Sequence, residues 1–161
     1  MISASMPDWS REHRATWAPS RSLLAVIRAY QRLEGRNGPL ARIQRKIMVL
    51  RHRFWSAVTG ADIPLNSQLG GGLLLPHPNG IVIHPSATIG PNCLIFQQVT
   101  IGSTERGVPT IGGHVDIGAG AKIIGPVTIG DHAIVGANAV VTIDIPAGRT
   151  AVGVPARILQ V

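Results

Sequence analysis

The chain has 161 residues, a 45% apolar fraction, a 14% charged fraction and a formal net charge of +7. That composition excludes a disordered, highly charged chain, and no apolar run approaches the ~18 residues of a membrane span. One cysteine, Cys93, excludes an intrachain disulfide and thiolate zinc sites.

The first residues, MISASMPDWSREHRAT, lack the apolar stretch of a secretory leader, so a cytoplasmic location is expected. Residues 1–60 hold eleven Lys/Arg against three acids, whereas residues 61–161 hold four against five. Five of the six aromatics precede residue 61, and sixteen of the nineteen glycines follow Gly60. Two construction rules therefore meet near Gly60.

Residues 1–19 show no period and contain Pro7 and Pro19, which predicts a flexible arm. Residues 20–60 form a basic helical segment. Ser20 or Ser22 can cap a first helix running to about Glu34, which Gly35, Gly38 and Pro39 then break. A second helix is predicted from Pro39 to Thr59, with Gly60 ending it. Leu40, Ile43, Ile47, Leu50, Phe54 and Val58 form one apolar stripe on this helix, with Arg42, Arg45, Lys46 and Arg53 elsewhere on its surface. The four basic residues are expected roughly opposite the stripe, which is expected to pack on the following domain. Peripheral contact of residues 39–59 with an anionic membrane is the other reading. No recognition motif accompanies the basic residues, so nucleic acid is not an expected partner.

From residue 61 the sequence counts in sixes. Ile63, Leu69 and Leu75 open the series. After an offset of two come Ile83, Ile89, Ile95 and Ile101, and after an offset of four come Ile111, Ile117, Ile123, Ile129, Val135 and Val141. Four residues after most of these stands a small or β-branched residue, such as Ala87, Cys93, Val99 or Ala121. Six-residue sides with a bulky residue inward and a small one at the corner predict a triangular coil of 18 residues. Residues 61–161 are thus a mainly β domain, a parallel β-helix of about five coils, each burying its neighbour's face. Cys93 falls on an inward small position and reads as core.

The offsets are where function is expected, because a solenoid's insertions project from it. The first is Leu75-Pro76-His77-Pro78-Asn79-Gly80, and the second is residues 103–110. His77 alone among the histidines sits in such an irregularity, and imidazole is a natural general base for a hydroxyl. Asp62, 15 residues earlier, falls on a nearby corner and is the candidate partner that orients it; a solvated surface histidine is the alternative.

The stretch ADIPLNSQLGGGLLLPHPNGIVIHPSATIGPNCLIFQQVTIG, with IGAGAKIIGPVTIG and AVGVPARIL downstream, resembles the serine acetyltransferases over roughly residues 60–160. The resemblance implies a left hand for the β-helix, against the general crossover preference. It implies that His77 deprotonates an acceptor hydroxyl attacking a thioester, that Asp62 orients the imidazole, and that no metal is needed. It further implies a homotrimer with acetyl-CoA in a groove between subunits. Backbone groups of Gly118, Ala119, Gly120 and Ala121 would line that groove, and Lys122, Arg149 and Arg157 are candidates for its phosphates.

Several positions depart from the family pattern. Pro76 and Pro85 replace acidic residues, Gly107-Val108-Pro109 replaces an Arg-His-Pro triplet, the helical domain is expected to be short and the C-terminal tail lacking. Groups that hold a zwitterion are affected most. The expected function is therefore O-acetylation of a sugar hydroxyl in surface-polysaccharide synthesis, with L-serine O-acetylation as the alternative and a non-catalytic scaffold as a remote one. His84, His114 and His132 lack the spacing of the metal-binding members of this fold, so no metal is expected.

Overall fold

A computed structural model describes residues 2–13 and 17–159. Two helices precede a parallel β-helix. Helix α1, Pro19–Gln31, starts at Pro19, whose fixed φ suits a first helical position. The expected serine cap is not used: Ala18 is the N-cap, and Ser22 lies buried inside the first turn. Helix α2, Pro39–Thr59, has the predicted bounds and ends at Gly60, whose φ of 65° gives the left-handed closing residue.

The β-helix has three flat faces. On the first, Asp62 bridges to Val82, followed upward by Val82–Ile83, Thr100–Gly102, Lys122–Ile124 and Val140–Val141. On the second, Gln68–Leu69, Thr88–Ile89, Thr110–Ile111 and Thr128–Ile129 stack, and Ile145 bridges to Ile129. On the third, Leu74 bridges to Leu94, and Leu94–Ile95, Asp116–Ile117, Ile134–Val135 and Thr150–Val152 follow. Arg157–Ile158 then folds back antiparallel. Five rungs per face match the expected five coils.

All thirteen residues of the six-count are buried, and so are the small corner residues, including Cys93 at 0% exposure. The register locates the irregularities. Gln68 pairs with Thr88, a step of 20, and Thr88 with Thr110, a step of 22, as the two offsets require; Thr110 pairs with Thr128, the regular 18. A third irregularity was not anticipated. Ile129 bridges to Ile145, a step of 16, so the last coil is two residues short. Asp144 Oδ1 accepts the Thr128 N–H at 2.7 Å at this shortened turn.

Helix α1 adds Leu23, Leu24 and Ile27 to the core. Helix α2 corrects the expectation for its stripe. Its inward face is Ala41 and Thr59, with Met48, His52 and Trp55 half-buried, and His52 Nε2 lies 2.8 Å from the Ile63 carbonyl oxygen. The stripe therefore points outward, and all six of its apolar residues are exposed.

Residues 1–19, expected as a flexible arm, contain a 3-10 turn, Trp9–Glu12, that rests on the β-helix. Asn92 holds this segment. Its Oδ1 accepts the Asp8 N–H, and its Nδ2 donates to the carbonyls of Ser3 and Met6. Trp9 lies over Gly71, where a Cβ would stand 2.6 Å from the indole. Met1 and residues 14–16 of that arm lie outside the described residues, as do residues 160–161 of the β-helix domain.

Candidate active site

The first irregularity lies at the edge between the third and first faces. Its anchor is backbone pairing with the end of α2, where the Gly80 N–H donates to the Gly60 carbonyl at 2.8 Å. Glycine suits position 60 because its φ of 65° lies in the left-handed region, where a side chain is strained. On the adjoining rung the Asp62 N–H donates to the Ile81 carbonyl at 2.8 Å, and the Ile83 N–H donates to the Asp62 carbonyl at 3.0 Å. The end of α2, the Asp62 segment and the His77 loop are thereby tied together.

His77 is exposed and borders an open cavity of about 400 Å³. Pro76, Pro78 and Asn79 of the loop line it, with Pro19 and Ser20 of α1 and Val58 and Thr59 of α2 opposite. The helical wall was not anticipated from sequence. Its only sequence signal was Gly60, which ends α2 where the chain must turn into the first rung. Asp62 is also exposed, and no hydrogen bond or ion pair joins its carboxylate to His77 among the described residues. An accessible imidazole beside an open cavity can exchange a proton with a hydroxyl lodged there.

The other candidates spread over the solenoid. Residues 118–122 turn the same edge as His77, two coils above it. The Gly120 N–H donates to the Gln97 carbonyl and the Gly118 N–H to the Val135 carbonyl, both at 2.8 Å. Ala119 accepts from the Asn138 N–H at 2.8 Å, while the Ala121 side chain is fully buried. Lys122 Nζ donates to the Gln98 carbonyl at 2.5 Å, which bridges its ammonium to the coil below. Arg149 and Arg157 are exposed and lie at opposite ends of the last rung of the third face, with Arg157 opposite Val152. In one chain the structure thus places Arg157, but not Arg149, toward the edge shared by His77 and residues 118–122.

The second irregularity occupies a different edge, between the first and second faces. Thr104 and Gly107 bridge across its tip, and a cavity of about 480 Å³ lies against Glu105, Arg106, Ile124 and Pro126. Among the described residues no three His, Cys, Asp or Glu side chains are grouped to hold a metal.

A parallel β-helix counted in sixes, with an open histidine at its first irregularity, defines a hexapeptide-repeat protein. Residues 109–142 match the family "Bacterial transferase hexapeptide (six repeats)". The chain is 40% identical over 106 residues to the serine acetyltransferase of Synechococcus elongatus, spanning 63% of this chain and 43% of that protein. It is 46% identical over 120 residues to serine acetyltransferase 5 of Arabidopsis thaliana, spanning 72% and 38% respectively. Among solved structures, soybean serine acetyltransferase complexed with serine superposes with a TM-score of 0.70 at 34% identity, covering 88% of this chain and 56% of that one. A serine acetyltransferase complex with CoA gives 0.75 at 31% identity, covering 89% and 58%. The chain therefore spans under half the length of the first of these curated relatives. It is a serine-acetyltransferase-like hexapeptide-repeat protein.

These matches correct the sugar acceptor expected from sequence. Pro76, Pro85 and Val108 depart from the family pattern, yet the similarity runs to serine acetyltransferases, one of them solved with serine.

Proposed function

We propose that the protein is an acyltransferase that moves an acetyl group from acetyl-CoA to the hydroxyl of L-serine, with His77 as general base. The observation carrying this reading is the exposed His77 at a cavity of about 400 Å³, in a β-helix 34% identical to an enzyme solved with serine. His77 takes the hydroxyl proton as the serine oxygen bonds to the thioester carbonyl carbon. It returns that proton to the CoA sulfur as the carbon–sulfur bond breaks, giving O-acetylserine and free CoA. Asp62 holds the imidazole in the receptive tautomer and offsets its transient charge once substrate closes the site. Ser20 and Asn79 supply polar lining for the amino acid.

The co-substrate groove is assigned to residues 118–121, with Lys122, Arg149 and Arg157 toward the phosphates. A trimer forms three such sites in this reading, each between two neighbouring copies. The His77 cavity and the residue 103–110 loop lie on different edges of one chain, so a ligand touching both would sit between two copies. A serine acetyltransferase complex with CoA superposes over 89% of this chain, which supports the CoA assignment. The test is thiol release from acetyl-CoA with L-serine, D-serine, homoserine and threonine as acceptors. Release that depends on L-serine and yields O-acetylserine is expected. Release indifferent to acceptor, or none with L-serine, overturns the reading.

A further inference from the structure

Helix α2 presents an unusual outer surface. Its inner side is fixed by Ala41, Thr59 and the His52 contact to the Ile63 carbonyl, so its rotation is set by packing. What faces outward is apolar: Leu40 is 68% exposed, Leu50 64% and Phe54 57%, with Ile43, Ile47 and Val58 also exposed. Val58 ends the stripe at the wall of the His77 cavity; at about 100° per residue the other five fall within an arc of roughly 80°, and at 1.5 Å per residue they run ~21 Å. A helix docked on a soluble domain ordinarily shows its polar side outward. A contiguous apolar stripe of this length marks a surface that meets something.

Charge selects the partner. Helix α2 carries Arg42, Arg45, Lys46, Arg51 and Arg53, and residues 35–61 contain no Asp or Glu. Lys46 and Arg53 border the stripe on one side at about 80–100° from its centre, and Arg51 borders the other at about 60°. A second copy of this helix would bring cations against cations with no carboxylate between them, a repulsive arrangement. Beside the stripe an apolar groove of about 350 Å³ opens between α1 and α2, walled by Tyr30, Val49 and Leu50 and rimmed by Arg45 and Lys46. An apolar floor under two cations suits a group that is anionic at one end and hydrocarbon at the other.

We propose that α2 docks the protein in the plane of an anionic phospholipid bilayer, its stripe among the upper acyl chains and the flanking Lys46, Arg51 and Arg53 on the headgroup phosphates. Apolar burial and attraction to anionic lipid act together in such interfacial helices. The inference is independent of the acetyl acceptor.

The test uses the full chain in co-sedimentation with vesicles of phosphatidylcholine alone and of phosphatidylcholine with about one third phosphatidylglycerol. Binding to the mixed vesicles, at least tenfold weaker to the neutral ones, is expected. L50S/F54S and K46Q/R53Q should each weaken binding by about tenfold or more. Both pairs are exposed, so their circular dichroism and thermal transition should match the parent. Soluble glycerol phosphate should not compete, which separates a bilayer from a free phosphate ligand; competition at low concentration overturns the bilayer assignment. Equal binding to both vesicle types, or none to either, overturns the proposal. So does a change of oligomeric state in L50S/F54S without vesicle binding by the parent, which would make the stripe a contact between copies.

Discussion

At the scale of single residues, His77 and Cys93 are opposite cases. His77 stands exposed at an open cavity, whereas Cys93 is sealed in the core with its Sγ 3.2 Å from the Gly112 carbonyl oxygen. His77→Ala is expected to lower turnover by roughly 10²–10⁴-fold, the usual worth of a general base, while CoA affinity by calorimetry stays near the parent value. Asp62→Asn should lower turnover less and leave CoA affinity alone. Near-parental turnover in the His77 variant would remove the mechanism. For Cys93, burial pushes the thiol from 9.0 up to about 11. The folded state thus holds its proton more tightly than the unfolded chain does. The resulting stability is fully present below pH 9 and is lost as the pH rises toward 11, about 2–3 kcal/mol in all. Urea unfolding at pH 8 and pH 11 should show this loss in the parent and not in Cys93→Ala; equal pH dependence in the two proteins would refute it.

At the scale of the coil, backbone contact is the controlling feature at the edge between the second and third faces. Gly70, Gly90 and Gly112 stack there, and a Cβ on Gly90 would stand 2.5 Å from the Gly112 carbonyl oxygen. Gly102, on another edge, would meet the flexible end of Ile124 at 3.1 Å and Thr100 Cγ2 at an ordinary 3.8 Å. Gly90→Ala should therefore cost about 3 kcal/mol and Gly102→Ala under about 1 kcal/mol in chemical denaturation. Similar costs at both positions would show that stacking at this edge is looser than the contacts imply. Elements of this kind were readable from sequence because the burial period is also the side-chain period. The shortened last coil was not readable. Ile143 and Ile145 both follow Val141, and only three-dimensional pairing decides that Ile145 is buried and Ile143 44% exposed. His77 was readable as the histidine of an insertion. Its cavity was not, because Val58, Thr59 and Ser20 reach it only through the Gly60–Gly80 pairing.

At the scale of the whole molecule, sequence periodicity identified the stripe on α2 but could not say which way it faced. Small Ala41 and polar His52 make the inner contact, and hydrophobicity alone ranks them below Leu50 or Phe54. The same holds for the N-terminal segment, whose attachment rests on polar groups without a period. Its strongest tie is Glu12. One carboxylate oxygen lies 3.1 Å from Arg28 Nη2 and accepts the Leu73 N–H at 3.2 Å. Arg28 in turn donates to the carbonyls of Leu69 and Gly70 and packs against the Trp9 ring at 5.4 Å. The N-terminal turn, α1 and the first coil thus meet at one ion pair whose side chains are only 10–11% exposed. Removing one partner of a buried pair costs 3–5 kcal/mol when the other charge is stranded. Here Arg28 keeps two carbonyl acceptors, so Glu12→Gln should cost less, about 2–3 kcal/mol. Arg28→Met removes the stranded cation, and the double variant should be less destabilised than the sum of the singles by at least about 1 kcal/mol. The four proteins of this cycle are to be compared by urea unfolding at neutral pH. Additivity within about 0.5 kcal/mol would mean that the Glu12–Arg28 pair carries no coupling and that the turn is held by its other contacts.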